Sequence, residues 1–271
     1  MTPIQLNAQV TRRIDVAPGL MILGVSSKGG DLVRFLPGQF AVLGLPAAAA
    51  RCELSDPEEE LLRPSALIRR SYSIASSARE SRELEFYVTL VRSGTLTPRL
   101  FALQAGDRLW LGPKVSGLFT LQQVPPDADL VLVATGTGLA PYMSMLRTYL
   151  AEDRRRRVAV IHGARHSWDL GYRAELVTLQ RRHAHFSYLP VISRAGEEPE
   201  PWGGLIGRVQ DVWWQGHLAG LWGGAPTAAD THVLLAGNPD MVDDMLGLLA
   251  GQGFRRHTRH QSGTVHTEKY W

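Results

Sequence analysis

The residue pattern changes its period part-way along the chain, and that change limits the possible folds more than any other feature. Up to Gly112 the chain runs in short β-prone stretches, QLNAQVTRRI, LMILGVSS, LVRFLPGQFAVLGL, RRSYSIASS, LEFYVTLVRS and DRLWLG, separated by Gly, Pro, Asp and Ser. Many short strands with turn residues between them predict a barrel or sandwich. Beyond the paired Pro125 and Pro126, continuous apolar runs alternate with helical patterns: DLVLVA then APYMSMLRTYLAED, RVAVIHG then YRAELVTLQRRH, FSYLPVIS, and HVLLAGN then PDMVDDMLGLLAGQ. Apolar strands followed by helices indicate a parallel sheet covered on both faces. The chain of 271 residues has room for two such units, at roughly 150 residues each. The expected division is 1–120, a linker over 121–128 carrying the proline pair, and 129–271. Between two early strands, RCELSDPEEELLRPS is charged and aperiodic and reads as a mobile surface loop.

Composition narrows the chemistry. With 44% hydrophobic and 20% charged residues the chain is a globular one of enzyme type. A net charge of +3 does not by itself argue for nucleic acid. Arg154 to Arg157, Arg181, Arg182, Arg255, Arg256 and Arg259 would form either a basic face for an acidic partner or ordinary solvated helix ends. Cys52 is the single cysteine, so internal disulfides, four-cysteine iron–sulfur clusters and cysteine zinc sites are excluded. MTPIQLNAQV lacks a secretory pattern, and no apolar run approaches the ~20 residues of a membrane helix. The expectation is a cytoplasmic protein with no membrane insertion.

In RRSYSIASS, strand alternation puts Arg70 and Tyr72 on one face, as a flat ligand with a phosphate would need; the same pair also occurs as a plain barrel-surface contact. In FYVTLVRSGTLTPRL, a strand ends near Gly94 and a helix is expected with Thr97 as N-cap and Pro98 at its first position. Such a start, with the Thr95 and Thr97 hydroxyls, suits a phosphate, or simply closes the end of a barrel. DLVLVATGTGLAPYMSML reads as a buried strand, a Thr/Gly loop and a helix from about Pro141. Gly136 and Gly138 there would let the backbone approach a pyrophosphate, or make a tight strand–helix turn. Arg165 and Arg194 each follow an apolar strand and Arg208 opens the next segment; they would meet around a 2'-phosphate, or form separate surface ion pairs. His257, His260 and His266 lack metal-ligand spacing, and no metal is expected. His162 reads as a core residue, and Trp213 and Trp214 as packing in a short helix. The chain closes on Tyr270 and Trp271. Chain ends seldom bury enough to offset their ordering entropy, so this pair is either ballast or docked on something.

RSYS at Arg70 to Ser73, FYVTLVRSGTLTPRL at Phe86 to Leu100, TGTGLAP at Thr135 to Pro141, AGNPDMV at Ala236 to Val242 and the final EKYW, in that order, resemble the bacterial branch of the ferredoxin–NADP(+) reductase family along nearly the whole chain. The resemblance implies an N-terminal antiparallel Greek-key β-barrel holding FAD and an α/β domain with a parallel five-stranded sheet holding NADP(H). It implies that Arg70, Ser71, Tyr72, Ser73, Phe86, Tyr87, Val88, Thr95, Leu96, Thr97 and Thr137 contact the flavin or its phosphates, with Tyr270 and Trp271 stacked on the ring. Ala164, Arg165, Ser193, Arg194 and Arg208 would hold the 2'-phosphate, and Gly237, Asn238 and Pro239 would meet the nicotinamide. Ser73 and Tyr72 would act at the flavin, and Glu268 would relay protons. A stacked terminus must leave before nicotinamide arrives and would set part of the turnover rate.

Many relatives carry Cys where this chain has Ala236, which implies slower hydride transfer by the same chemistry. The partner implied is ferredoxin or flavodoxin, an acidic carrier docking on a basic face of a monomer. A flavin reductase serving an oxygenase or ferric siderophore keeps the fold and changes the acceptor. A flavin-binding subunit of a fixed complex, not using NADPH itself, is a further alternative that the arginines oppose.

Overall fold

The computed structural model describes residues 5–27, 29, 34–58, 62–80 and 82–270. Glu59, Glu60 and Trp271 lie outside the described residues. The chain divides into two compact units, Met1–Thr120 with Met143–Thr148, and Leu121–Tyr142 with Tyr149–Trp271.

The first unit contains β1 (Ala8–Ala17), β2 (Leu20–Ser27), β3 (Phe40–Pro46), β4 (Leu67–Ser73), β5 (Leu84–Thr89), α1 (Thr97–Leu100) and β6 (Arg108–Leu111). The six strands pair antiparallel in the order β4-β3-β6-β1-β2-β5, a Greek-key arrangement in which β6 returns between β3 and β1. A bridge between Ile74 and Phe86, with the Ala75 N–H donating to Glu85 O at 2.7 Å, joins the two edges and closes the barrel. Along β1 the burial alternates, with Ala8 and Val10 inside and Gln9 and Thr11 outside. Met21, Leu23, Leu43, Phe86, Val88 and Leu109 fill the interior. Of the apolar run expected as a strand over 32–45, Leu32 and Val33 lie outside the described residues, and among the described ones the strand begins at Phe40. Pro37 cannot donate to a ladder, and Gly38 turns with φ +99°, where a Cβ would sit 1.9 Å from Phe119 O.

The second unit carries β7 (Asp129–Thr135), α2 (Ala140–Tyr149), β8 (Val158–Ala164), α3 (Arg173–Arg182), β9 (Phe186–Ile192), β10 (Leu205–Ile206), α4 (Val209–Trp214), α5 (His217–Trp222), β11 (Thr231–Gly237), α6 (Pro239–Ala250) and β12 (Val265–Lys269). Met143–Thr148 of α2 groups with the first unit. Its strands are parallel in the order β10-β9-β8-β7-β11-β12. The sheet is thus six-stranded, against five expected. The two-residue β10 is too short to leave a pattern in the sequence.

One face of this sheet buries Val131, Val133, Ile161, Val191, Val233 and Leu235 under Val209, Val212, Val242, Met245 and Leu249 of α4 and α6, each such side chain contributing about 1.5–3 kcal/mol. His162 is fully buried, with Nδ1 3.2 Å from Tyr188 Oη. Trp213 packs edge-on against Phe254, whereas Trp214 is 73% exposed, so only the first of the pair is a core residue.

The His266 ring stacks between His232 and His257, and His260 is not part of that stack. Among the described residues no group of His, Cys, Asp or Glu is arranged to hold a metal ion. The Arg154–Arg157 run is largely paired within the fold: Arg155 and Arg156 meet Asp153, and Arg157 donates to Asp129 at 2.9 Å while lying over the Trp222 ring.

Candidate cofactor-binding site

In the first unit, β4 exposes Arg70 and half-buries Tyr72 on the edge of the barrel core. Arg70 Nη2 reaches Thr95 Oγ1 at 3.4 Å, so two of the expected phosphate contacts meet. Burial pushes the Tyr72 phenol well above its ordinary range, with Arg70 opposing, and keeps it protonated. Ser73 is buried and Ser71 exposed.

The helix start differs from expectation. Leu96, not Thr97, is the N-cap of α1, and the Thr97 hydroxyl accepts from Val91 N–H at 3.0 Å while donating to Val91 O at 3.1 Å. A hydroxyl satisfied inside the turn is not free to cap. Phe86, Val88 and Leu96 face the barrel core, so only their main chains are open to a ligand. The guanidinium and hydroxyl at Arg70 and Thr95 are the donor types a phosphate needs.

In the second unit the candidate residues gather at the carboxyl ends of neighbouring strands, where ligands bind in open α/β sheets. After β7 the loop carries Gly136, with φ +55° and open space around it, and Gly138, where a Cβ would lie 2.2 Å from Ala236 O. Gly136 therefore leaves room for a ligand, whereas Gly138 is required by packing of the loop against β11. Gly138→Ala must move backbone and is expected to cost about 3 kcal/mol or more, read from urea unfolding.

Thr135, which opens the TGTGLAP motif and had no role assigned to it, ties the loop to the opposite motif by accepting the Asn238 N–H at 3.1 Å. Asn238 then caps α6 through Oδ1, receiving the amides of Asp240 and Met241, with Pro239 opening the helix. The adjoining β12 carries Glu268; the Tyr270 N–H donates to Gly237 O at 3.0 Å and its hydroxyl to Glu268 Oε2 at 2.8 Å. The penultimate residue is thus held rather than frayed.

The arginines follow β8 and β9. Ser193 N–H donates to Ala164 O at 3.0 Å and Arg194 N–H to Arg165 O at 2.9 Å, which makes the two arginines neighbours. Arg208 precedes α4, its N–H on Asp211 Oδ2 at 2.7 Å. Also unforeseen were His166 and Glu197. Glu197 Oε2 lies 2.8 Å from His166 Nε2 and 3.6 Å from Arg194 Nη1, and the His166 hydrogen bond followed by the Arg194 charge holds its carboxyl below the usual range. The His166 ring stacks on Trp168 at 4.4 Å. Guanidiniums in this number, beside a glycine loop at a sheet edge, fit a phosphorylated dinucleotide.

Comparison with known proteins agrees. Residues 132–246 match the model of the oxidoreductase NAD-binding domain. The chain is 32% identical over 214 residues to the flavodoxin/ferredoxin–NADP reductase of Escherichia coli strain K12, across 79% of this chain and 78% of that protein. The chain belongs to the flavodoxin/ferredoxin–NADP reductase family. It is an oxidoreductase of that family, as the ordered motifs implied. A solved ferredoxin NADP+ reductase from Neisseria gonorrhoeae, with bound FAD and NADP, shares the reductase fold at a TM-score of 0.80, 24% identity and 97% coverage of both chains. The chain is also 29% identical to the phenol 2-monooxygenase reductase component DmpP of Pseudomonas sp. strain CF600, across 91% of this chain and 62% of that protein. No helix among the described residues of this reductase is long and apolar enough to cross a membrane.

Proposed function

We propose that the protein exchanges electrons between NADPH and a one-electron carrier, ferredoxin or flavodoxin, through FAD. When bound, FAD exchanges a hydride with nicotinamide and single electrons with a carrier. In this reading residues 1–120 hold FAD and 129–271 hold NADP(H). Arg70, Ser71 and Thr95, with the main chain of Leu96 and Thr97, bind the flavin's phosphates. Tyr72 and Ser73 orient its ring against the main chain of Phe86–Val88. Ala164, Arg165, Ser193, Arg194 and Arg208 bind the 2'-phosphate, and Gly237, Asn238 and Pro239 receive the nicotinamide. Glu268, already hydrogen-bonded to Tyr270, carries a proton.

The observation that carries this reading is the adjacency of Arg165 and Arg194, joined through their main chains at the sheet edge. A dinucleotide without the 2'-phosphate has no use for paired guanidiniums there. A cytoplasmic monomer is the form proposed, with one cysteine consistent with a reducing compartment.

A second reading, a reductase serving an oxygenase, is supported by the similarity to DmpP and by the internal pairing of the Arg155–Arg157 run. Reducing the purified protein with NADPH and NADH in parallel, while following its visible spectrum, tests the cofactors. Faster bleaching by NADPH is expected, and a colourless protein or a preference for NADH overturns the assignment. Turnover with ferredoxin, flavodoxin and an oxygenase then separates the two acceptor readings.

A further inference from the structure

The acidic insert between β3 and β4 has a use that its composition did not suggest. Glu58 receives both Nη groups of Arg99 on its two oxygens, at 2.7 and 2.9 Å, and Arg51 Nη1 approaches it at 3.0 Å. Arg99 is only 2% exposed, and a buried guanidinium requires such a partner. The two arginines spend their remaining donors on main-chain carbonyls. Arg51 donates to Gly94 O at 3.1 Å, Arg92 O at 3.3 Å and Asp56 O at 2.7 Å. Arg99 donates to Thr95 O at 2.6 Å and to Ala47 O. Two further main-chain bonds stitch the insert down, Asp56 N–H on Arg92 O and Cys52 N–H on Pro98 O. The insert is therefore anchored along Cys52–Glu58 rather than mobile there.

The carbonyl and the amide of a trans peptide point in opposite directions. Drawing the carbonyls of Arg92, Gly94 and Thr95 towards Arg51 and Arg99 turns the amides of Ser93, Thr95 and Leu96 the other way. We propose that Glu58 is a positioning residue for the flavin pyrophosphate, bridging Arg51 and Arg99 so that these two guanidiniums aim the amides of Ser93, Thr95 and Leu96 at the phosphates. The inference rests on the FAD reading above and adds to it a residue that touches no cofactor. The side-chain length needed to span both arginines is that of glutamate.

The test uses the full chain stripped of flavin, with FAD and riboflavin titrated by fluorescence quenching. Riboflavin has the ring and lacks the pyrophosphate. Glu58→Gln keeps the shape and removes the charge, and is expected to weaken FAD by about tenfold or more, the scale of a lost charge-assisted bond, with riboflavin affinity unchanged. Arg51→Met leaves the Glu58–Arg99 pair intact and frees the Gly94 and Arg92 carbonyls; it should weaken FAD in the same selective way even if Glu58→Gln folds poorly. Equal losses for both flavins, or no loss for either, overturn the proposal. A wild-type chain that binds FAD no tighter than riboflavin overturns the pyrophosphate assignment itself, and this inference with it.

Discussion

Replacing Arg165 and Arg194 together by alanine raises the KM for NADPH about a hundredfold and leaves NADH within about twofold, because each lost guanidinium–phosphate bond is worth roughly 1.5 kcal/mol. The two residues are neighbours by main-chain hydrogen bonding, and in the proposed reading they serve one phosphate rather than two groups. The readout is steady-state oxidation of each nucleotide with an artificial acceptor, backed by calorimetric titration of adenosine 2'-monophosphate. Glu197→Gln should move KM for NADPH the other way, by about threefold, since its carboxylate pairs with Arg194 and His166 and would compete with a phosphate for them. Parallel losses with NADH would place these arginines away from the 2'-phosphate.

Stability is expected to fall as the pH drops below neutral, with His162 as a contributor whose folded-state pKa is depressed by burial. Burial pushes its pKa down from 6.5 to about 3, so the folded chain holds it neutral while the unfolded chain protonates it. The sign follows from proton binding. A depressed folded-state value contributes stability that is complete above about pH 6.5 and is lost as the pH falls towards 3, at about 1.4 kcal/mol per pH unit. Over pH 6.5 to 4 this amounts to roughly 3 kcal/mol, a large share of a typical folding free energy. His266, driven to about 4 by burial and then by His232 and His257, adds to the same window. Urea unfolding at stepped pH is the measurement. His162→Leu should flatten the slope, because the replacement has no titrating group and His162 Nε2 has no hydrogen-bond partner among the described residues. An unaltered slope in that variant would assign the acid sensitivity elsewhere.

Parts of the candidate site were legible because their signals are local. Strand alternation was enough to put Arg70 and Tyr72 on one face, whereas the cap that Asn238 provides to α6 came only with the structure. Thr97 misled because a Thr-Pro step reads as a cap, while its hydroxyl had a nearer partner in Val91. Trp214 misled because neighbouring tryptophans on a short helix cannot both face inward, and Trp213 took the core position. The strand β10 was invisible at two residues, since two residues have no period.

The sequence alone determined the change from short antiparallel strands to buried parallel ones, the order of the motifs, and therefore the family; each is written in near neighbours along the chain. Only the tertiary structure decided which distant side chains meet. Glu58 finds Arg99 across 41 positions, and Asn238 finds Thr135 across 103. Periodicity reports the face on which a side chain lies. Which partner waits opposite depends on how barrel and sheet close, and closure is a property of the whole core rather than of any segment.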